Sequence, residues 1–270
     1  MWSGGFLSDE IQSVVEHAWN RNKDLFDQLY RVNDHALSIQ HRVVVAPEDM
    51  QGLVVATFFS RTINSIQASV ILIERGLSSQ AKVVLRAAME SLFGLRACLD
   101  EEFCERLVAA DAVKRKKHFR KAEQLVQKGV IPDVNGVLTE DLLAQIEADI
   151  AETNARDITT AEIAKAAGLY DWYLGMYAMF SASVHATVRD LTEYMRVDDK
   201  GELTALANGP DLEACAGLLI CAIEQMLMAS TAAAAHFGFD HIEYWEREHE
   251  ALRVLVEKEQ VRMQRESSGS

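Results

Sequence analysis

The sequence predicts an all-α protein: a single helical bundle of about six or seven long helices with a small peripheral helical insertion. Three observations predict it. Only 3 prolines occur in 270 residues, so few positions forbid a continuous helical ladder. Ala, Leu, Glu, Gln, Arg and Met, all good helix formers, are abundant. The apolar segments are long and end at Gly or Pro-Asp punctuation.

Taken in order, Ser8-Asp9-Glu10 offers a cap for a first helix reaching His41. Ala46-Pro47-Glu48-Asp49 opens a second, stopped by Gly76 after Arg75. Ser78 or Ser79 caps a third, to about Leu99, and a charged fourth runs from Glu101 to Gln127. The stretch 130–168 differs. It holds Pro132, Gly136, the capping sites Thr139 and Thr159, and a dense acidic run, so we expect short helices packed on the outside as a cover. A long apolar helix is expected from Tyr170 to about Arg196, and Asp198-Asp199-Lys200-Gly201 is a turn between two short extended segments. Pro210-Asp211 starts an Ala-rich helix to Ala235, and a charged last helix ends near Arg265, leaving 266–270 as a frayed tail. The expected core comprises Val55, Phe58, Phe59, Ile63, Val70, Leu72, Val84, Leu85, Leu92, Phe93, Leu95, Met179, Phe180, Val184 and Leu191. Residues 1–270 read as one domain without internal repeats.

Composition excludes several classes. The net charge is −14, and a uniformly acidic surface repels nucleic-acid phosphates and anionic lipids unless a local basic patch intervenes. The start lacks a basic segment followed by an apolar one, so no signal peptide is expected. Leu53 to Ile73 and Ala214 to Phe237 are apolar but interrupted by polar residues, which favours buried helices over membrane spans. The expected location is the cytoplasm. Cys98, Cys104, Cys215 and Cys221 have no C-x-x-C spacing and read as reduced core thiols. Phosphate-cradling, dinucleotide-binding and nucleophile-elbow motifs are absent, so no cofactor is expected.

Two polar sets interrupt the apolar helices. Lys82, Arg86 and Glu90 lie four apart on one face of the third helix, with Arg61, Ser65 and Ser69 at similar spacing on the second. Ser181, His185 and Arg189 line one face further on. An i,i+4 Arg–Glu pair is ordinarily a local ion pair, and a histidine in an apolar helix is ordinarily a core residue with one satisfied hydrogen bond. The functional alternative places Arg86, Glu90, Ser181 and His185 around one catalytic pocket, with His185 as general acid or base. Lys114, Arg115, Lys117 and Arg120 belong to the densest basic run, which could hold RNA phosphates or simply be solvated. Glu246-Arg247-Glu248-His249 contains one Glu-x-x-His, but di-iron bundles need two. No metal site is expected.

Leu85-Arg86-Ala87-Ala88-Met89-Glu90, then Ala110-Asp111, then Tyr177 with Ser181 to His185 resembles a bacterial family of all-helical domains of unknown function, with an R-x-x-x-E helix and a distant S-x-x-x-H element. The resemblance covers roughly Val54 to Arg189. It implies that Arg86, Glu90, Ser181 and His185, with Asp111, converge on a polar pocket. Such domains are distantly similar to the HEPN group of helical ribonucleases, found in toxin–antitoxin and phage-defence systems. That group's motif is an Arg followed by His after four to six residues, a spacing none of the 8 histidines here satisfies. Two functions therefore stand: a non-catalytic interaction or sensor module in a bacterial defence or stress system, or a toxin-like effector ribonuclease using Arg86, Glu90 and His185. The corresponding partners are a protein or a second copy of the chain, and RNA. The Ala-rich helix from Leu212 to Ala235 is a candidate dimer face.

Overall fold

The computed structural model describes residues 4–132, 138–184, 191–198, 200–207, 209–239 and 241–268. Helices α1 (Ile11–Arg21) and α2 (Lys23–Arg42) replace the single first helix expected. The break is at buried Asn22, with φ −121° and ψ 29°. Its side chain donates to the Ala18 carbonyl at 3.0 Å and the Cys215 thiol at 3.3 Å, so a local side-chain bond competes with the helical ladder. The expected cap over Ser8 to Glu10 does not form. The residue before α1 is Glu10, already helical and without a side-chain cap bond.

Helix α3 (Met50–Glu74) starts at Asp49, whose carboxylate accepts from the Gly52 amide at 2.7 Å. It stops at Gly76, φ +70°, where the amides of Gly76 and Leu77 return to the Ile73 and Leu72 carbonyls. Helix α4 (Ser78–Ala97) follows at once. Its cap residue is Leu77 rather than a serine, because Ser78 Oγ donates instead to the Asp211 carbonyl at 2.9 Å. Asp211 in turn donates its amide to the Gly76 carbonyl, which pins the chain before the Ala-rich helix to the α3–α4 corner.

Helix α5 (Glu101–Gln127) is capped by Asp100. Helix α6 (Glu140–Thr153) is capped by Thr139, and α7 (Thr160–Ala166) by a reciprocal Thr159–Glu162 capping box. α6 packs on α5, away from the centre, whereas α7 packs on α4. Ala164, Ala167 and Leu169 join the main core, so the second half of the expected outer cover is internal.

The long helix expected from Tyr170 is irregular over its described part, with α8 (Tyr170–Trp172), a π-helical turn (Tyr173–Tyr177) and α9 (Ala178–Val184), and residues 185–190 of that expected helix lie outside the described residues. A 3-10 turn (Thr192–Tyr194) leads to antiparallel strands β1 (Met195–Val197) and β2 (Leu203–Leu206), the two extended segments expected around the Asp198–Gly201 turn. Helix α10 (Cys215–His236) packs against α2, α3, α4 and α11 (Ile242–Ser268). Alone among the described helices it is long and apolar enough to cross a membrane, and 72% of that window is buried by its neighbours. It is the central core helix, not a free dimer face. Of the expected core, Met179, Val184 and Leu191 are exposed, while Phe59, Ile63, Leu85, Leu92, Phe93 and Phe180 are buried completely or nearly so.

Candidate functional site: a guanidinium held between two helices

α4 and α9 pack side by side, which brings the Arg86–Glu90 stripe against Tyr177 and Ser181. Arg86 Nε donates to Ser181 Oγ at 2.9 Å. Arg86 Nη2 donates to the Tyr177 hydroxyl at 2.5 Å and lies 3.2 Å from Glu90 Oε1. The Tyr177 hydroxyl donates to the same Glu90 oxygen at 2.7 Å, and Ser181 Oγ donates to the Tyr177 carbonyl. The guanidinium carbon also sits 4.5 Å from the Tyr177 ring centroid, a cation–π contact. Each hydroxyl thus accepts from Arg86 and donates onward, so the circuit is closed.

The π-helical turn is what phases it. One wide turn shifts the register of the side chains that follow, and Tyr170, Tyr173 and Tyr177 then form a stacked ladder with centroid steps of 5.8 and 5.1 Å. Burial, reinforced by the Glu90 carboxylate, pushes the Tyr177 phenol up to about 12. At physiological pH it is therefore the neutral donor that the circuit requires. Arg86 is 19% exposed and Glu90 35%, so the network lies at the edge of the core rather than inside it.

The structure therefore brings Arg86, Glu90 and Ser181 together. His185 and Arg189 lie outside the described residues. Asp111 does not join: it is on α5, lining a separate cavity with Arg115 and Asp149. Arg61 is exposed and Ser69 Oγ donates within its own helix to the Ile66 carbonyl, so the matching set expected on α3 does not face this network. Lys82 continues the stripe into a cavity of about 490 Å³ at the start of α4, shared with Tyr194 and Arg196. Tyr177 is the member whose role the sequence left unstated. Its spacing of four from Ser181 was the available signal.

The basic run is answered by carboxylates. Lys116 pairs with Glu147 at 3.0 Å, Lys117 with Asp157 at 2.5 Å, and Arg120 with Glu123 and Glu147. The Lys117 hydrogen bond, with the Lys117 and Lys114 charges, holds Asp157 below the usual carboxylate range. Lys114 and Arg115 are exposed. Among the described residues no group of three His, Cys, Asp or Glu side chains is placed to hold a metal ion. All four thiols are buried and free, and burial pushes Cys215 and Cys221 up to about 12, which leaves them protonated and unreactive.

Fold and site together define an all-helical domain whose polar centre is an inter-helical Arg–Tyr–Glu–Ser circuit. The chain belongs to a family of unknown function, DUF5677, whose model matches residues 52–202. That span contains every member of the circuit. Neither the curated proteins nor the solved structures contain a match to the chain.

Proposed function

We propose that this protein is a non-catalytic helical interaction or sensor module of the cytoplasm, in which the Arg86 circuit latches α9 onto α4. The observation that carries this reading is the engagement of Arg86. Its Nε and Nη2 donors are held by Ser181, Tyr177 and Glu90, and its face is stacked on Tyr177. With Nε and Nη2 engaged, a phosphate would be met through Nη1 and not through a two-nitrogen fork. The pairing of Lys116 and Arg120 with the α6 carboxylate Glu147 points the same way. A setting in bacterial defence or stress rests on the family resemblance alone.

The competing reading is an effector ribonuclease with His185 as general acid or base. The two differ in what substitutions do. In a latch, Arg86→Ala and Tyr177→Phe lower stability by about 1–3 kcal/mol, since the first removes the hydrogen bonds from Arg86 to Ser181 and Tyr177 and the second the hydroxyl that links Arg86 to Glu90. Arg86→Lys restores little, because one ammonium cannot reproduce the planar fork. His185→Ala leaves cellular RNA as it is with wild type. The measurement is thermal unfolding of the purified variants alongside RNA integrity after expression. RNA breakdown by wild type that disappears in a His185→Ala variant of unchanged melting temperature would overturn the module reading.

A further inference from the structure

Two hydrogen bonds between helices frame a cleft along α2 and α3. At one end Gln67 Nε2 donates to Asn33 Oδ1 at 2.8 Å. At the other the Trp19 indole of α1 donates to Glu74 Oε2 at 3.4 Å. Between them lies a cavity of about 330 Å³ floored by Leu29, Ile66, Val70 and Met226, each more than nine-tenths buried. Tyr30 and Ile71 form its rim and are 47 and 54% exposed. The helices that bound it, α1, α2, α3 and α10, are described over their whole length. A concave site of this size, with an apolar floor and a few converging polar groups, is the usual form of a small-molecule site.

We infer that this cleft binds a small organic cation, an amine whose ammonium meets Glu74 and whose apolar body lies along the floor toward Gln67. The charge of the site selects that occupant. Glu74 is the one charged side chain among the described residues that line the cleft, and it is only 15% exposed. Arg75 engages Oε1 at 2.5 Å and Trp19 engages Oε2, whereas a carboxylate accepts about four hydrogen bonds. Arg75 does not line the cleft, and its guanidinium also donates to the Ile71 carbonyl. Glu74 therefore keeps acceptor capacity beside an apolar floor. Burial, and after it the Glu74 charge, push the Tyr30 phenol up, so the carboxylate's field reaches the rim. An ammonium placed there gains from Glu74 and from the face of the Tyr30 ring. A carboxylate or phosphate is repelled by Glu74 and by the net charge of −14.

Length sets the size of the ligand. Gln67 and Glu74 are seven residues apart on α3, about 10 Å along the axis, which an amine with a chain of about six carbons spans. The inference is independent of the Arg86 reading, because the cleft shares no residue with that circuit.

Isothermal titration calorimetry with n-hexylammonium, hexan-1-ol and hexanoate tests it. Wild type binds hexylammonium one to one, hexanol about tenfold more weakly or worse, and hexanoate not measurably. Glu74→Gln, which still accepts from Trp19, loses the preference for amine over alcohol. Val70→Phe fills the floor and abolishes binding of both. Ile71→Trp covers the mouth from an exposed position and does the same, which keeps the test sound if Val70→Phe melts below wild type. Melting of each unliganded variant is the control for folding. A wild type that does not bind hexylammonium, or binds it no better than hexanol, overturns the inference. So does an amine preference that survives Glu74→Gln. Binding at several sites that neither Val70→Phe nor Ile71→Trp alters is adsorption to the acidic surface, and overturns it too.

Discussion

Tyr177 shows how one hydroxyl can decide the character of a site. Its oxygen accepts from Arg86 and donates to Glu90, so it bridges two charges that also meet directly at 3.2 Å as an i,i+4 pair. A lone exposed pair contributes at most about 0.5 kcal/mol. Joined through a buried phenol and a serine on a second helix, the same pair becomes a tertiary contact. A double-mutant cycle between Arg86→Ala and Tyr177→Phe should therefore give a coupling energy of about 1 kcal/mol or more. Additive losses would mean that Arg86 and Tyr177 act separately. The thiols make a second prediction at this scale. In the native protein all four should resist a thiol-specific reagent, and all four should react after unfolding, as counted by absorbance titration.

At the scale of elements, close approach and docking set the tolerances. α3 and α4 pass at Gly94, where a Cβ would stand 2.6 Å from the Phe58 ring. Gly94→Ala should gain helix propensity but lose more to the displaced ring, a net cost of about 1–2 kcal/mol in denaturant unfolding. At the start of α11, His35 stacks on Tyr244 at 3.7 Å, and the His241 and Trp245 rings meet it edge-on. Its Nε2 is buried without a partner. Burial, helped by the neighbouring His241, Arg247 and Arg42 charges against an opposing Glu248, holds His35 below the ordinary 6.5. Burial does the same to His249 on α11. Both are more easily protonated in the unfolded chain, so their stabilising contribution is full above pH 6.5 and is lost as pH falls from there toward the lowered native values. Melting temperature should drop across that window, and His35→Phe, which keeps a stacking ring, should flatten the slope.

The whole molecule is a strongly acidic body around α10. Its one dense cationic segment is spent internally, with Lys116, Lys117 and Arg120 facing Glu147, Asp157 and Glu123. A single-stranded RNA should consequently bind no more tightly than the millimolar-to-micromolar range of non-specific contacts at physiological salt. Filter binding or fluorescence anisotropy would check this. Tight binding that falls when Lys114 and Arg115, the exposed members of the run, are changed to Ala would reverse the reading of that face.

From the sequence alone the helical class and several helix ends were legible, because both rest on local chemistry. Asp49, Asp100, Thr139 and Thr159 cap where their side chains reach amides two or three residues on, and Gly76 stops α3 by adopting a conformation costly to other residues. It also determined that Arg86 and Glu90 share a face, since that follows from helical spacing. What that face meets was left to packing. Whether Arg86 pairs locally or reaches across to Tyr177 and Ser181, about ninety residues away in the chain, depends on how α9 docks and on a π-turn that no residue pattern announces. The Asn22 contact with Cys215 and the failed serine cap of α4, where Ser78 donates to Asp211, have the same origin. In each, a contact distant in sequence outweighs a local preference, and periodicity carries no information about distant partners.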